Sequence, residues 1–239
     1  MAVQKRAPKV RLKRWKTDDW YYTPVGYRFI KTAFTTPVRR VARLHVKGKE
    51  NVPMEGGVLL ACNHFSWADP VLLGAALPRP AFYLAKERLF VNPFSRWFFE
   101  TMGQIKVDRD AGGNEDAIST AVRLLAEGLV VGVFPEGTRS RYGELKRGKT
   151  GLARIAARSG APVLPVALTT AQFWPKHAAM PKWGEAVYLN VGEPVRYDVK
   201  PGDAEDRQRM REVTDDVMER IRKLLREANA ARDAGDKWV

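Results

Sequence analysis

Val58-Leu59-Leu60-Ala61-Cys62, then Asn63-His64-Phe65-Ser66-Trp67-Ala68-Asp69, then Pro70-Val71-Leu72-Leu73-Gly74-Ala75-Ala76, carries the clearest signature of the fold class. Five apolar residues in a row, without alternation, read as a strand buried on both faces. Asp69-Pro70 then opens a helix, because Asp is a good cap and Pro fits the first helical position. That helix runs through Leu73 to about Ala76. Buried strand, loop and helix in immediate succession are the unit of an α/β fold.

The alternation continues on both sides. Upstream, Leu44–Val46 reads as a strand, followed by a turn through Pro53 and Gly56-Gly57. Downstream, Ala81–Ala85 and Gln104–Val107 are short strands separated by a helix near Ser95–Thr101. Asn114 caps the next helix; Glu115 and Asp116 fill its first turn, Ile118, Ala121, Val122 and Leu125 form its buried stripe, and Gly128 ends it. Leu129–Phe134 is a buried strand, Lys149–Ser159 a helix, Val163–Leu168 a strand carrying Pro165, and Val187–Val191 another strand. Met210, Val213, Val217, Ile221, Leu224, Leu225 and Ala228 recur every three or four residues in a long amphipathic C-terminal helix. The expected fold is α/β, a mostly parallel buried sheet flanked by helices. In such sheets, sites gather beyond the carboxyl ends of strands.

The chain has 239 residues and a formal net charge of +14. Residues 1–50 hold fourteen Lys and Arg against Asp18, Asp19 and Glu50, a net +11, which leaves +3 for the rest. A basic arm implies an anionic partner. From Trp15 to Val46 the cations are mixed with Trp15, Trp20, Tyr21, Tyr22, Tyr27, Phe29 and Phe34, and a broken helical stripe is interrupted at Pro24 and Pro37. Rings and basic stems together suit the headgroup layer of an anionic membrane; the same segment could pack its aromatic face on the domain. A nucleic-acid arm shares this composition, but no fold module for nucleic acid accompanies it, so no nucleic acid is expected. One cysteine, Cys62, excludes an intramolecular disulfide and a Cys-rich zinc site. No signal architecture and no run of the ~18–20 apolar residues needed to span a bilayer is present. The expected division is a basic and aromatic membrane-associating segment over 1–42, a catalytic domain over 43–232 and a tail over 233–239. The amphipathic segment is expected to lie on the membrane surface.

Two loops follow buried strands and carry chemistry. In the first, His64 and Asp69 are five apart, which on one continuous helix would point them ~140° away from each other. A helix that starts only at Asp69 leaves His64 in the preceding turn, within reach of the carboxylate. A carboxylate on one imidazole nitrogen fixes the tautomer and leaves the other nitrogen to take a proton. Asp69 as a plain helix cap beside a satisfied loop histidine is the bland alternative. A metal is not expected, because His45 and His177 are distant and no Cys pair exists. The second loop is Phe134-Pro135-Glu136-Gly137-Thr138-Arg139-Ser140, followed by Arg141, Lys146, Arg147 and Lys149. Gly137 permits an unusual turn, Arg139 offers a donor fork for a phosphate, and Thr138 and Ser140 add hydroxyls. Glu136 would hold Arg139 or bind acceptor hydroxyls.

Asn63–Asp69 resembles the N-H-x-x-x-x-D block of the glycerolipid acyltransferase family, and Phe134–Ser140 resembles its F-P-E-G-T-R-S block. Seventy residues lie between His64 and Pro135, an interval in keeping with that family. Val107-Asp108-Arg109 resembles the intermediate block, and Val163–Leu168 the fourth. Lys86-Glu87-Arg88-Leu89 resembles the stretch after the first helix, but Arg96 stands where relatives often carry a Gly.

The resemblance implies an acyltransferase that uses no cofactor and takes its acyl group from acyl-CoA or acyl carrier protein. His64 would act as base and Asp69 would orient it. Arg109 and Arg139 would grip the acceptor phosphate, with Lys86, Glu136, Gly137 and Thr138 as further substrate contacts. It implies the sn-2 hydroxyl of lysophosphatidic acid as acceptor, with glycerol 3-phosphate, another lysophospholipid or a glycolipid as alternatives. The implied place of work is the cytoplasmic face of the cell membrane. A non-catalytic basic binder of membranes or nucleic acid is the reading from another class. A hydrolase would need a nucleophile elbow such as G-x-S-x-G, and none is found.

Overall fold

In the computed structural model, which describes residues 15–17, 20–22, 37–86, 92, 104–107, 113–140, 143–170, 182 and 184–238, the Val58–Cys62 run is the middle strand of a seven-stranded sheet. In chain order the strands are β1 (Trp15–Thr17), β2 (Trp20–Tyr22), β3 (Leu44–Lys47), β4 (Val58–Cys62), β5 (Ala81–Lys86), β6 (Gln104–Val107), β7 (Val130–Val133), β8 (Val163–Leu168) and β9 (Val187–Val191). The main sheet has the order β3-β9-β8-β4-β7-β5-β6. Strands β8, β4, β7, β5 and β6 run parallel, and β9 is antiparallel to β8. β3 pairs in parallel with β9. The sheet is therefore mostly parallel, with one reversal on one side.

Helices cover both faces. α1 is Asp69–Ala76, α2 Gly113–Ala126, α3 Gly151–Ser159 and α4 Arg207–Ala234. Leu60, Cys62, Leu164, Val166, Leu168, Leu189 and Val191 turn one way and pack against Leu72, Leu73 and Ala76 of α1. Leu59, Ala61, Val131 and Val163 turn the other way, toward Ile118, Ala121 and Leu124 of α2, Leu152 and Ile155 of α3, and Val217 and Ile221 of α4. Alternate residues of each strand thus feed two apolar layers, which is why every residue of β4 is buried and why its sequence shows no alternation.

The structure differs from the sequence reading at several places, among them Asn114, expected as a helix cap but lying inside α2. α1 begins at Asp69 itself with Ala68 as the cap residue, so Asp69 is the first helical residue rather than the cap. Its carboxylate accepts hydrogen bonds from Phe65 and Ser66, upstream of the helix. In the N-terminal segment β1 and β2 pair antiparallel with Trp15 opposite Tyr22, so Tyr22, where the expected helical stripe starts, is extended; aromatic residues favour extended backbone. Residues 37–41 are helical. The remainder of that segment, and the helix expected near Ser95–Thr101, lie outside the described residues. At the other end α4 reaches Ala234, beyond the apolar repeat that announced it, and the chain then folds back onto the sheet. Tyr188 donates its hydroxyl to the carbonyl of Asp236 (2.6 Å), and Trp238 meets the Tyr188 ring edge-on at 5.3 Å.

At the amino edge of the sheet, Arg79 fastens the loops that feed three strands. Its guanidinium donates to the carbonyls of Pro53, Gly56 (2.9 Å) and Gly128 (2.6 Å), and partial burial holds its pKa below the usual arginine value. Arg79→Ala removes the guanidinium donors that these carbonyls share. It is expected to cost about 1–3 kcal/mol of stability, read as a lower midpoint in urea, with specific activity unchanged well below the melting temperature.

Candidate active site

Three neighbouring parallel strands end at one edge. Cys62 pairs with Val166 and Ala61 with Val133, so the chain leaves β4, β7 and β8 side by side. The loop after β4 starts with Asn63, which prolongs the ladder by one rung. Its side-chain amide donates to the Leu168 carbonyl (2.9 Å), and its carbonyl oxygen accepts from the Leu168 N–H (2.8 Å). This rung fixes where His64 leaves the sheet.

His64 Nδ1 lies 2.8 Å from Asp69 Oδ2. Asp69 is fully buried, and a buried carboxylate is tolerable only when donors surround it. Oδ2 also accepts the N–H groups of Phe65 and Ser66, each at 2.9 Å, and Oδ1 accepts the Thr170 hydroxyl at 2.6 Å. Because the carboxylate accepts, the neutral ring carries its proton on Nδ1 and keeps the Nε2 lone pair. The His64 side chain is 19% exposed, and Nδ1 faces buried Asp69, so Nε2 lies on the edge opposite the buried carboxylate. Ser66 supports the turn, its hydroxyl accepting from the Ala68 N–H (3.2 Å).

The second loop is bound to the first. Ser140 N–H donates to the His64 carbonyl (2.8 Å). Glu136, 2% exposed, accepts from the His64 N–H through Oε1 and from the Lys146 N–H through Oε2, both at 2.9 Å. Burial raises the Glu136 pKa above its ordinary value, and these two N–H groups oppose that shift. Gly137 has φ +70, a left-handed backbone that favours glycine in this turn. The imidazole also stacks on Phe134, with centroids 4.0 Å apart, and Phe134 stacks on Tyr83 at 5.6 Å. Gly132 makes room for this column, since a Cβ there would sit 2.1 Å from the Tyr83 ring.

Among the residues singled out from sequence, the structure brings His64, Asp69 and Glu136 into hydrogen-bond contact, and Gly137, Thr138 and Arg139 follow Glu136 in the loop that Ser140 ties to His64. The Arg139 carbonyl accepts from the Lys146 ammonium (3.1 Å), one residue before the link from Ser140 to His64. Lys86 ends β5, with its side chain outside the described set, and Arg109 lies outside the described residues. Sequence reading linked Glu136 to Arg139 or to acceptor hydroxyls; its described hydrogen bonds go to the backbone of His64 and Lys146. It missed Thr170, the Asn63 rung and the aromatic column. The available signal for Thr170 was a hydroxyl residue just past the end of a strand paired with β4. Among the described residues, no three His, Cys, Asp or Glu side chains form a metal-binding group.

Fold and site together define an α/β protein whose sheet edge presents an imidazole held by a buried carboxylate, the equipment of a general base. Residues 43–169 match the family model described as Acyltransferase, and the chain belongs to that family. The 1-acyl-sn-glycerol-3-phosphate acyltransferase of Bacillus subtilis (strain 168) is 36% identical over 143 residues, 59% of this chain and 70% of that one. The enzyme of the same name from Borreliella burgdorferi is 33% identical over 151 residues, 62% of this chain and 60% of its own. The crystal structure of the 1-acyl-sn-glycerophosphate (LPA) acyltransferase PlsC from Thermotoga maritima superposes with a TM-score of 0.63 at 28% identity, covering 84% of this chain and 78% of that chain. The family expected from the four sequence blocks is thereby shown, and the protein is an acyltransferase.

Glu136→Gln puts an amide NH2 against one of two backbone N–H donors and is expected to cost about 1–3 kcal/mol. The sign of its pH dependence follows from the raised pKa. A carboxyl with a higher pKa folded than unfolded contributes stability fully below its unfolded value, and that contribution is lost as pH rises through the folded one. Melting curves of both proteins from acid to neutral pH should show a gap that is widest at and below the ordinary carboxylate value and narrows as pH rises.

Proposed function

We propose that this acyltransferase moves a fatty acyl group from an acyl thioester, of coenzyme A or of acyl carrier protein, to the sn-2 hydroxyl of 1-acyl-sn-glycerol 3-phosphate. The observation that carries the reading is the 2.8 Å contact between His64 Nδ1 and buried Asp69 at the end of β4. The names of the similar enzymes support the choice of acceptor.

The acceptor hydroxyl gives its proton to Nε2 of His64 as its oxygen attacks the thioester carbonyl carbon. The tetrahedral oxyanion then collapses, the C–S bond breaks, and the imidazolium returns the proton to the departing thiolate. Asp69 keeps the ring in one tautomer and stabilises it while charged. Transfer is direct. Cys62 is fully buried and burial pushes its thiol pKa well up, which disfavours the thiolate an acyl-enzyme would need. Arg139 serves the acceptor phosphate, with Lys86 and Arg109 as further cations for the anionic parts of the two substrates, and Gly137 and Thr138 form the turn that presents Arg139.

The reaction is proposed to take place on the cytoplasmic face of the cell membrane. The +11 charge of the first fifty residues suits an anionic lipid surface, and Trp67, 48% exposed in the His64 loop, offers an aromatic group of the kind that sits at headgroups. No helix among the described residues is long and apolar enough to cross a membrane.

The test is transfer from a radiolabelled thioester to a panel of lysophosphatidic acid, glycerol 3-phosphate and lysophospholipids without a terminal phosphate. Lysophosphatidic acid should be the preferred acceptor. His64→Ala should lower kcat by roughly 10²–10⁴-fold while the protein remains folded; undiminished turnover in that variant would refute the role of the base.

A further inference from the structure

We propose that Thr170 is a positioning residue for acyl transfer, holding the Asp69 carboxylate in the rotation that presents Oδ2 to His64. This rests on the reading of His64 and Asp69 as base and orienting group. Both Thr170 and Asp69 are fully buried. The load on the two carboxylate oxygens is uneven. Oδ2 serves His64 Nδ1 and the N–H groups of Phe65 and Ser66, whereas the described partner of Oδ1 is the Thr170 hydroxyl at 2.6 Å. The three donors on Oδ2 come from the loop that His64 itself belongs to. Thr170 comes from the far side, just after β8, and so supplies the external reference that the loop cannot give itself.

The platform beneath Thr170 is rigid. Leu168 is tied to Asn63 by two hydrogen bonds. Thr169 donates its N–H to the Tyr188 carbonyl (3.1 Å) and accepts the Tyr188 N–H on its hydroxyl (2.9 Å). The backbone that leads into Thr170 is therefore fastened to β4 on one side and β9 on the other. When proton transfer makes His64 an imidazolium, a carboxylate already aligned with Nδ1 needs no reorganisation, which is where electrostatic preorganisation lowers a barrier. A carboxylate free to turn about its Cβ–Cγ bond loses that alignment, and misplacement of about 1 Å is costly to rate.

The experiment compares Thr170→Val, which keeps the shape without the hydroxyl, with Thr170→Ser, which keeps the hydroxyl. Each is made in the full chain, in the wild-type and the Asp69→Asn backgrounds. Assays use a labelled acyl thioester and lysophosphatidic acid, with thermal melting of every variant. Thr170→Val should lower kcat by roughly 10–10²-fold with both KM values nearly unchanged. Thr170→Ser should recover most of the rate, and in Asp69→Asn the valine should cost almost nothing further. The proposal is overturned if serine is as slow as valine, if valine matches wild type, or if valine slows Asp69→Asn as much as it slows wild type. If valine does not melt cooperatively, Thr170→Ala is read against serine by the same criteria. Should Asp69→Asn itself retain full activity, the reading of the base pair fails, an outcome distinct from loss of the Thr170 effect alone.

Discussion

A carboxylate with no solvent exposure must be held by donors or it will not stay ionised, and Asp69 obtains its donors from three sources. The backbone of its own loop supplies two N–H groups, the His64 ring a third donor, and a hydroxyl after β8 a fourth. These groups meet only when the loop has closed into its turn, α1 has started at residue 69, and β8 lies beside β4. The charge therefore acts as a check on correct folding at this edge: any misplacement leaves it short of a partner, at the energetic cost of an unsatisfied buried ion.

Glu136 extends the same logic to the second loop. It is also a buried carboxylate, and it bridges the His64 and Lys146 backbones. Two internal acids thus hold one histidine, Asp69 through the ring and Glu136 through the peptide. The aromatic column adds a third constraint, since Phe134 and Tyr83 stack in line behind the imidazole and glycine at 132 leaves space for it. Position, tilt and tautomer of the ring are each set by a different neighbour. That is what a base requires if the reacting hydroxyl is to be met without rearrangement.

Much of the architecture was legible because the apolar pattern reports burial directly. The uninterrupted run at Val58–Cys62 is a central parallel strand, and Pro165, awkward in a strand, sits at the interruption between the β8–β9 ladder, which begins at Val166, and the isolated Val163–Val195 bridge, where its missing N–H is tolerated. The pairing of His64 with Asp69 was legible from the helix start between them. Other features depend on three-dimensional register, which local pattern does not encode. Thr170 is about a hundred positions from Asp69 and meets it only because Cys62 and Val166 are paired. Glu136 looked like a partner for Arg139 because opposite charges attract in sequence reading as in solution; in the fold its described hydrogen bonds are to backbone N–H groups. The strand pair at Trp15–Tyr22 departed from the helical expectation because aromatic residues at irregular spacing fit either backbone state.

The proposed chemistry depends on where one proton sits on one ring. The most direct measurement is 15N NMR of protein labelled in histidine, with the His64 signals assigned by comparison with His64→Ala and read where the ring is neutral. The expected spectrum has a protonated Nδ1, coupled to its hydrogen and shifted by the bond to Asp69, together with an Nε2 resonance of the unprotonated type. A His64 ring with its proton on Nε2 would contradict it, since that nitrogen could not then accept the hydroxyl proton of the acceptor.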